Sequence, residues 1–136
     1  MRPPLSGRRD ADVVVVGAGI AGLTTALVLA RQGIHVVVVE ARTVGAGTTG
    51  HTTAKVSALQ GTRYQAIAAH HGADVLSAYA RAQRFAVEWV ATTVETLDIS
   101  CRWERRPAVT YATDASSLAT LQDEAVATRA AGLDVE

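Results

Sequence analysis

The chain of 136 residues is poor in cysteine, aromatic side chains and net charge. Cys101 is its only cysteine, which excludes an intrachain disulfide or a cysteine-rich metal cluster and suits a reducing, cytoplasmic setting. Thirteen cationic side chains balance thirteen anionic ones, so no net field favours nucleic acid or an anionic membrane as a partner. Because 49% of the residues are hydrophobic, we expect a folded protein with small-molecule or protein partners.

The chain also lacks the features of a convincing membrane segment or signal peptide. Residues 13–30 are uncharged, but acidic residues precede them and three glycines interrupt their first half, where a membrane helix would favour leucine. We therefore expect no membrane span.

The pattern of residues 11–40 predicts a strand, a helix and a second strand. Residues 11–16 and 34–40 are β-branched runs, as in strands buried on both faces of a parallel sheet. Between them, residues 20–32 favour helix, with Leu23, Ala26, Leu27 and Ala30 on one face and Gly33 as its stop. This βαβ unit predicts an α/β fold of the Rossmann type.

The rest of the chain is predicted to be mostly helical. Residues 1–10 form a flexible N-terminal arm, and residues 62–97 form a helical region broken near 70–72. One or two strands are expected in residues 101–113, and Asp114 should cap a helix that runs to about Ala131. Residues 132–136 alternate like the start of a strand.

A glycine motif joins the first strand to the first helix. In the Gly-x-Gly-x-x-Gly of residues 17–22, Gly17 permits the tight turn, Gly19 lets a pyrophosphate approach the backbone and Gly22 lets helix and strand pack closely. The N–H groups and positive dipole end of the helix then face the phosphates. Glu40, at the end of the second strand, can accept hydrogen bonds from adenosine ribose hydroxyls and would repel a 2′-phosphate. The alternative is a doubly wound fold with a degenerate, empty site.

The segment after Glu40 bears on which dinucleotide binds. An NAD-binding domain often continues into another helix and strand, whereas residues 41–61 are rich in glycine and threonine. Extended chain of this composition offers N–H and hydroxyl donors along a longer ligand. This favours FAD over NAD.

The sequence resembles the FAD-dependent oxidoreductases of the D-amino-acid oxidase (DAO) superfamily. Residues 12–42 are similar to the family's opening, residues 44–61 to its flavin loop and residues 111–136 to its first substrate-domain strand and helix. The run "GTTGHTTAK" at residues 47–55 most resembles a bacterial subgroup with a C-terminal Rieske iron–sulfur domain.

The resemblance implies oxidation of the C–N bond of an amine or amino acid by hydride transfer to flavin. It implies an incomplete fold, with residues 11–100 as the N-terminal part of the FAD-binding domain and residues 101–136 as the start of a truncated substrate domain, inactive alone. The alternatives are an NAD-dependent dehydrogenase domain and a noncatalytic module. The residues it assigns to the cofactor site are Gly17, Ala18, Gly19, Ile20, Ala21, Gly22, Glu40, Ala41, Arg42, Thr48, Thr49, Gly50, His51, Thr52, Thr53 and Lys55.

Two of these residues have two interpretations each. In relatives such as sarcosine and dimethylglycine dehydrogenases a histidine in a similar setting is bonded covalently to the flavin, so His51 either does the same or only contacts the cofactor. Lys55, the single lysine of the chain, either stabilises the reduced flavin anion or is an ordinary solvent-facing side chain.

Overall fold

The computed structural model describes residues 4–136 and divides the chain into two compact units, with the division after Lys55. Residues 4–10 are exposed and have no helix or strand. Residues 1–3 of the predicted arm lie outside the described part. The predicted domain boundary at residue 100 is a separate hypothesis about the family's organisation and stays a prediction.

The first unit contains the predicted βαβ unit. Strand β1 (Val13–Val16) leads into helix α1 (Ile20–Arg31), and strand β2 (Val36–Val39) pairs with β1 in parallel, with Val13 opposite Val36. The Asp12 carboxylate accepts a hydrogen bond from the His35 N–H at 2.9 Å where the pairing begins. Helix α1 ends before Gly33, whose φ of +81° favours glycine. This two-stranded parallel sheet is compatible with the start of a Rossmann-like fold.

One prediction of burial in this unit is wrong. The side chains of Val14 and Val16 are 57% and 84% exposed, so β1 is not buried on both faces. On the predicted face of α1, Ala26 and Leu27 are partly buried, whereas Leu23 and Ala30 are exposed. The reason is that burial depends on which elements pack on a face, and among residues 4–55 a single α-helix packs on the two-stranded sheet.

The second unit is built from three helices. These are α2 (Arg63–His70), α3 (Ala73–Thr96) and α4 (Ala115–Ala130). The predicted break near residues 70–72 is confirmed, because His71 and Gly72 are extended between α2 and α3. The core of the unit consists of Tyr64, Leu76, Ala80 and Ala127.

Tyr64 is the centre of that core. Its side chain is fully buried, its hydroxyl donates to the Ala58 carbonyl at 2.9 Å, and its ring meets the Tyr79 ring edge to face at 5.3 Å. Burial raises the pKa of the Tyr64 hydroxyl to about 12. The residue therefore acts as a neutral donor that holds residue 58 against the helices.

Helix α4 begins as predicted. Asp114 is its N-cap and accepts from the Ser117 N–H at 2.8 Å. This bond and those from the Ser116 and Ser117 hydroxyls stabilise the charged form and hold the pKa of Asp114 well below its ordinary value. Gly132, with φ of +85°, follows the helix end.

The strands predicted in residues 101–113 and at residues 132–136 are not present. A strand requires a neighbouring strand for its N–H and C=O groups, and the sheet of the described residues contains only β1 and β2. Residues 101–113 are instead tied to α3 by Arg105, whose guanidinium donates to both oxygens of Glu88 at 2.8 and 2.7 Å.

None of the helices between residues 4 and 136 combines the length and the apolar character needed to cross a bilayer.

Candidate functional site

The turn between β1 and α1 has the geometry that its glycines predict. Gly17 has φ of +104°, and its N–H donates to the Val39 carbonyl at 2.7 Å, which fixes the turn to the end of β2. A Cβ on Gly22 would overlap the Gly17 carbonyl oxygen and lie 3.2 Å from a Val15 methyl group. Helix α1 can therefore start this close to β1 only with glycine at position 22.

The first turn of α1 has backbone N–H groups available for an anion. The N-cap residue, Gly19, has no side chain to satisfy them. Within residues 4–136, the N–H groups of Gly19, Ala21 and Gly22 have no protein acceptor. Three free donors at the positive end of a helix form a cradle that suits a pyrophosphate.

Glu40 lies beside this turn and is tied to it. One carboxylate oxygen accepts from the Ala18 N–H at 2.8 Å, and the other accepts from the Arg42 N–H at 2.9 Å. These two backbone hydrogen bonds, the first being the stronger influence, hold the pKa of Glu40 below its ordinary value of 4.5. The carboxylate is exposed, so each ionised oxygen keeps further lone pairs for ligand hydroxyls.

The segment after Glu40 folds onto the same turn. Residues 48–51 form a short 3-10 helix. The Gly45 N–H donates to the Ala18 carbonyl at 2.9 Å, and the Thr49 hydroxyl oxygen accepts from the Ile20 N–H at 2.9 Å. A Cβ on Gly50 would overlap the Gly45 carbonyl oxygen, so glycine at position 50 keeps this segment tight.

His51 ends the 3-10 helix with an exposed imidazole. Its Nδ1 lies 2.9 Å from the Gly47 carbonyl oxygen, four residues earlier. Because a carbonyl only accepts, Nδ1 must carry the proton. In the neutral ring the lone pair is then on Nε2, which is the nitrogen free to react or to accept a hydrogen bond.

The structure brings some of the predicted site residues together and leaves others apart. Residues 17–22, Glu40 and Thr49 form one contiguous group, and the Arg42 guanidinium lies near Gly47. No hydrogen bond within the described residues joins the remaining side chains to the glycine turn, and all of them are exposed: Ala41, Thr48, His51, Thr52, Thr53 and Lys55.

Gly45 is bonded to the glycine turn but is absent from the residues that the sequence assigned to the candidate site. Its φ is +73°, and its N–H is bonded to the buried Ala18. The signal in the sequence was a glycine five residues after Glu40 that no helix cap or strand end required.

Comparison with known proteins gives the context of this geometry. Residues 12–136 match the family described as DAO, FAD dependent oxidoreductase. The chain is 33% identical over 122 residues to the Bacillus subtilis protein named "Putative Rieske 2Fe-2S iron-sulfur protein YhfW", which covers 90% of this chain. It is 64% identical over 33 residues, 24% of the chain, to the aklavinone 12-hydroxylase RdmE of Streptomyces purpurascens.

The chain spans 24% of the length of YhfW and 6% of that of RdmE. No solved structure matches it. The family match extends over the glycine turn, Glu40, the 3-10 helix and all of the second unit. The chain therefore belongs to the DAO family of FAD-dependent oxidoreductases.

Proposed function

We propose that the chain holds the dinucleotide end of FAD in an oxidoreductase that oxidises the C–N bond of an amine or amino acid. The observation that carries the proposal is the cradle of three free N–H groups beside the Glu40 carboxylate, in a chain of the DAO family. Bound FAD supplies the acceptor for the hydride equivalent that leaves the substrate. We further propose residues 11–100 as part of the FAD domain and residues 101–136 as the start of the substrate domain.

Each residue of the turn, together with Glu40, has a separate proposed role in binding the cofactor. The N–H groups of Gly19, Ala21 and Gly22 bind the pyrophosphate, and Gly17 sets the turn that aims them. Glu40 accepts from the ribose hydroxyls, and its negative charge repels a 2′-phosphate, which disfavours NADP. Ala41 and Arg42 border the adenosine.

We propose that residues 48–55 lie along the part of the cofactor beyond its phosphates. Its hydroxyls and N–H groups suit the ribityl chain, and Lys55 carries the positive charge that stabilises the reduced ring. The Lys55→Met variant should bind FAD with a lowered flavin reduction potential, whereas Lys55→Arg should retain the potential of the parent. Equal potentials in all three proteins would contradict this role.

His51 is proposed to hold the flavin covalently through Nε2, the nitrogen that the Gly47 carbonyl leaves free. The new C–N bond would replace one C–H bond of the methyl group of the flavin ring, and dioxygen would accept the two electrons that are released. Acid denaturation of purified holoprotein tests this, because covalent flavin precipitates with the protein. The His51→Ala variant should release the yellow colour into the supernatant. His70→Ala is the matched control, since His70 is also exposed with its Nδ1 2.8 Å from the carbonyl of residue 66. Free colour from the parent protein would refute the bond.

The absorption spectrum tests the proposed function itself. Purified protein should carry flavin bands, or should gain thermal stability on addition of FAD and not of NAD. A colourless protein stabilised by NAD alone would support a dehydrogenase domain instead. A protein that responds to neither would be a noncatalytic module.

A further inference from the structure

The backbone of the glycine turn is bound on several sides by the segment that begins at the end of β2. The Gly17 N–H donates to the Val39 carbonyl, and the Ala18 N–H donates to the Glu40 carboxylate. The Ala18 carbonyl accepts from Gly45, and the Ile20 N–H donates to the Thr49 hydroxyl. Four backbone groups of Gly17, Ala18 and Ile20 are thus fixed by residues 39–49.

The bond between Ile20 and Thr49 is the unexpected member of this set. The first N–H groups of a helix have no partner within the helix, and here one of them is satisfied by a side chain 29 residues away. The Thr49 oxygen also lies 3.3 Å from the position that a Cβ on Gly19 would take. Glycine at position 19 therefore leaves room for the threonine as well as for a phosphate.

The segment that carries Thr49 is held by its own hydrogen bonds. The Ala46 N–H donates to the Thr43 carbonyl at 3.0 Å, and the Gly50 N–H donates to the Gly47 carbonyl at 3.2 Å. Because this segment is bonded internally, Thr49 presents its oxygen to Ile20 from a fixed position. The turn and the segment thus hold each other in place without any ligand.

We infer that Thr49 is a positioning residue that latches residues 45–51 onto the glycine turn and so preorganises the cofactor cradle. This inference rests on the proposed function, because its effect on FAD affinity requires that FAD bind here. The Thr49 oxygen uses a lone pair to accept from Ile20, so its hydroxyl proton stays free to donate to a phosphate oxygen. Fixing the turn before binding reduces the ordering cost of association.

The test compares Thr49→Val, which keeps the shape and removes the hydroxyl, with Thr49→Ser, which keeps the hydroxyl. A hydrogen bond of ordinary net strength predicts that FAD affinity falls about fivefold to tenfold in the valine variant. The serine variant should stay within about twofold of the parent, because its hydroxyl has the same donor and acceptor capacity. Thr43→Val is the matched control, since this exposed threonine of the same loop is outside the proposed site. It should bind FAD like the parent.

Amide hydrogen exchange of the FAD-free parent chain tests the latch without any variant. The Ile20 amide should exchange more slowly than the neighbouring Ala21 amide, which has no acceptor among the described residues. Equal exchange at these two amides would overturn the latch even if the valine variant failed to fold.

The outcomes separate this inference from the proposed function. If the parent binds FAD and Thr49→Val binds it equally well, the latch is refuted and the proposed function stands. If the parent binds no FAD, the proposed function fails, while slow exchange at Ile20 would still support the latch itself.

Discussion

Gly22 is the residue at which a single methyl group has the clearest steric consequence. Gly22→Ala places a Cβ onto the Gly17 carbonyl oxygen, so helix α1 must move away from β1. Overpacking of this kind predicts a loss of about 3 kcal/mol in the free energy of unfolding. Urea denaturation followed by circular dichroism measures it.

The matched control for Gly22 is Gly47→Ala, in which the new Cβ would make only an ordinary contact of 3.8 Å with the Arg42 guanidinium. This variant should unfold within about 0.5 kcal/mol of the parent. Similar losses in both variants would show that glycine content, and not the overlap with Gly17, determines the result.

Glu40 predicts an acid sensitivity of the first unit. The N–H groups of Ala18 and Arg42 lower the pKa of Glu40 in the folded protein below 4.5, so the carboxylate binds its proton more weakly when folded than when unfolded. Its stabilising contribution is therefore present above pH 4.5 and is lost as the pH falls through the folded pKa.

The Glu40→Gln variant tests this dependence, because an amide cannot titrate. At neutral pH the parent should be more stable than the variant, and the difference should shrink as the pH falls below 4.5. Denaturation at several pH values measures this difference, in which contributions from other carboxylates such as Asp114 cancel. A difference independent of pH would exclude the proposed charge effect.

At the scale of elements, Glu124 is the residue that joins two helices of the second unit. It lies on α4, is 5% exposed, and accepts from the N–H groups of Tyr64 and Gln65 at 3.0 and 2.6 Å. A buried carboxylate thus satisfies the first turn of α2 and interacts favourably with the positive end of its dipole. The packing of α2 on α4 depends on this bond as well as on apolar contact.

Glu124→Gln should therefore destabilise the second unit although it changes the shape little. The amide keeps one acceptor oxygen but loses the charge, so we expect a loss of about 2 kcal/mol in unfolding free energy. Asp123→Asn removes the same charge from the exposed neighbouring position and should cost less than about 0.5 kcal/mol. Equal effects in urea denaturation would mean that net charge, and not the cap on α2, is responsible.

Local sequence signals predicted the positions of helices and strands better than they predicted strand pairing and burial. The βαβ unit, the break before Gly72 and the cap at Asp114 depend on nearby residues, and all three are present. The strands predicted in residues 101–113 are absent because pairing depends on a distant partner. The exposure of Val16 was mispredicted because burial also depends on distant residues.

The same limit applies to the candidate site. The motif located the glycine turn and Glu40, whose proposed roles follow from spacing and residue type. It did not predict that Thr49 bonds to Ile20 or that Gly45 bonds to Ala18, because these contacts join positions 29 and 27 residues apart through the path of the intervening chain.

At the scale of the whole molecule, the proposed cofactor contacts and the buried core around Tyr64 lie in different units. Residues 17–55 of the first unit contain every proposed FAD contact, whereas Tyr64 and its neighbours form the core of the second. A ligand stabilises the part of a protein whose folded state it binds. FAD should therefore stabilise the first unit.

Amide hydrogen exchange with and without FAD measures whether the ligand stabilises the first unit and leaves the second unit unchanged. At a free FAD concentration of about one hundred times Kd, the free energy of opening at residues 17–22 and 45–51 should rise by about 2.7 kcal/mol. The amides around Tyr64 and Leu76 should be unchanged. Glu124→Gln should accelerate exchange around Tyr64 and leave the FAD-dependent protection at residues 17–22 intact, because Glu124 contacts the second unit's helices. Protection gained mainly around Tyr64 would instead place the cofactor against the second unit and contradict the proposed site.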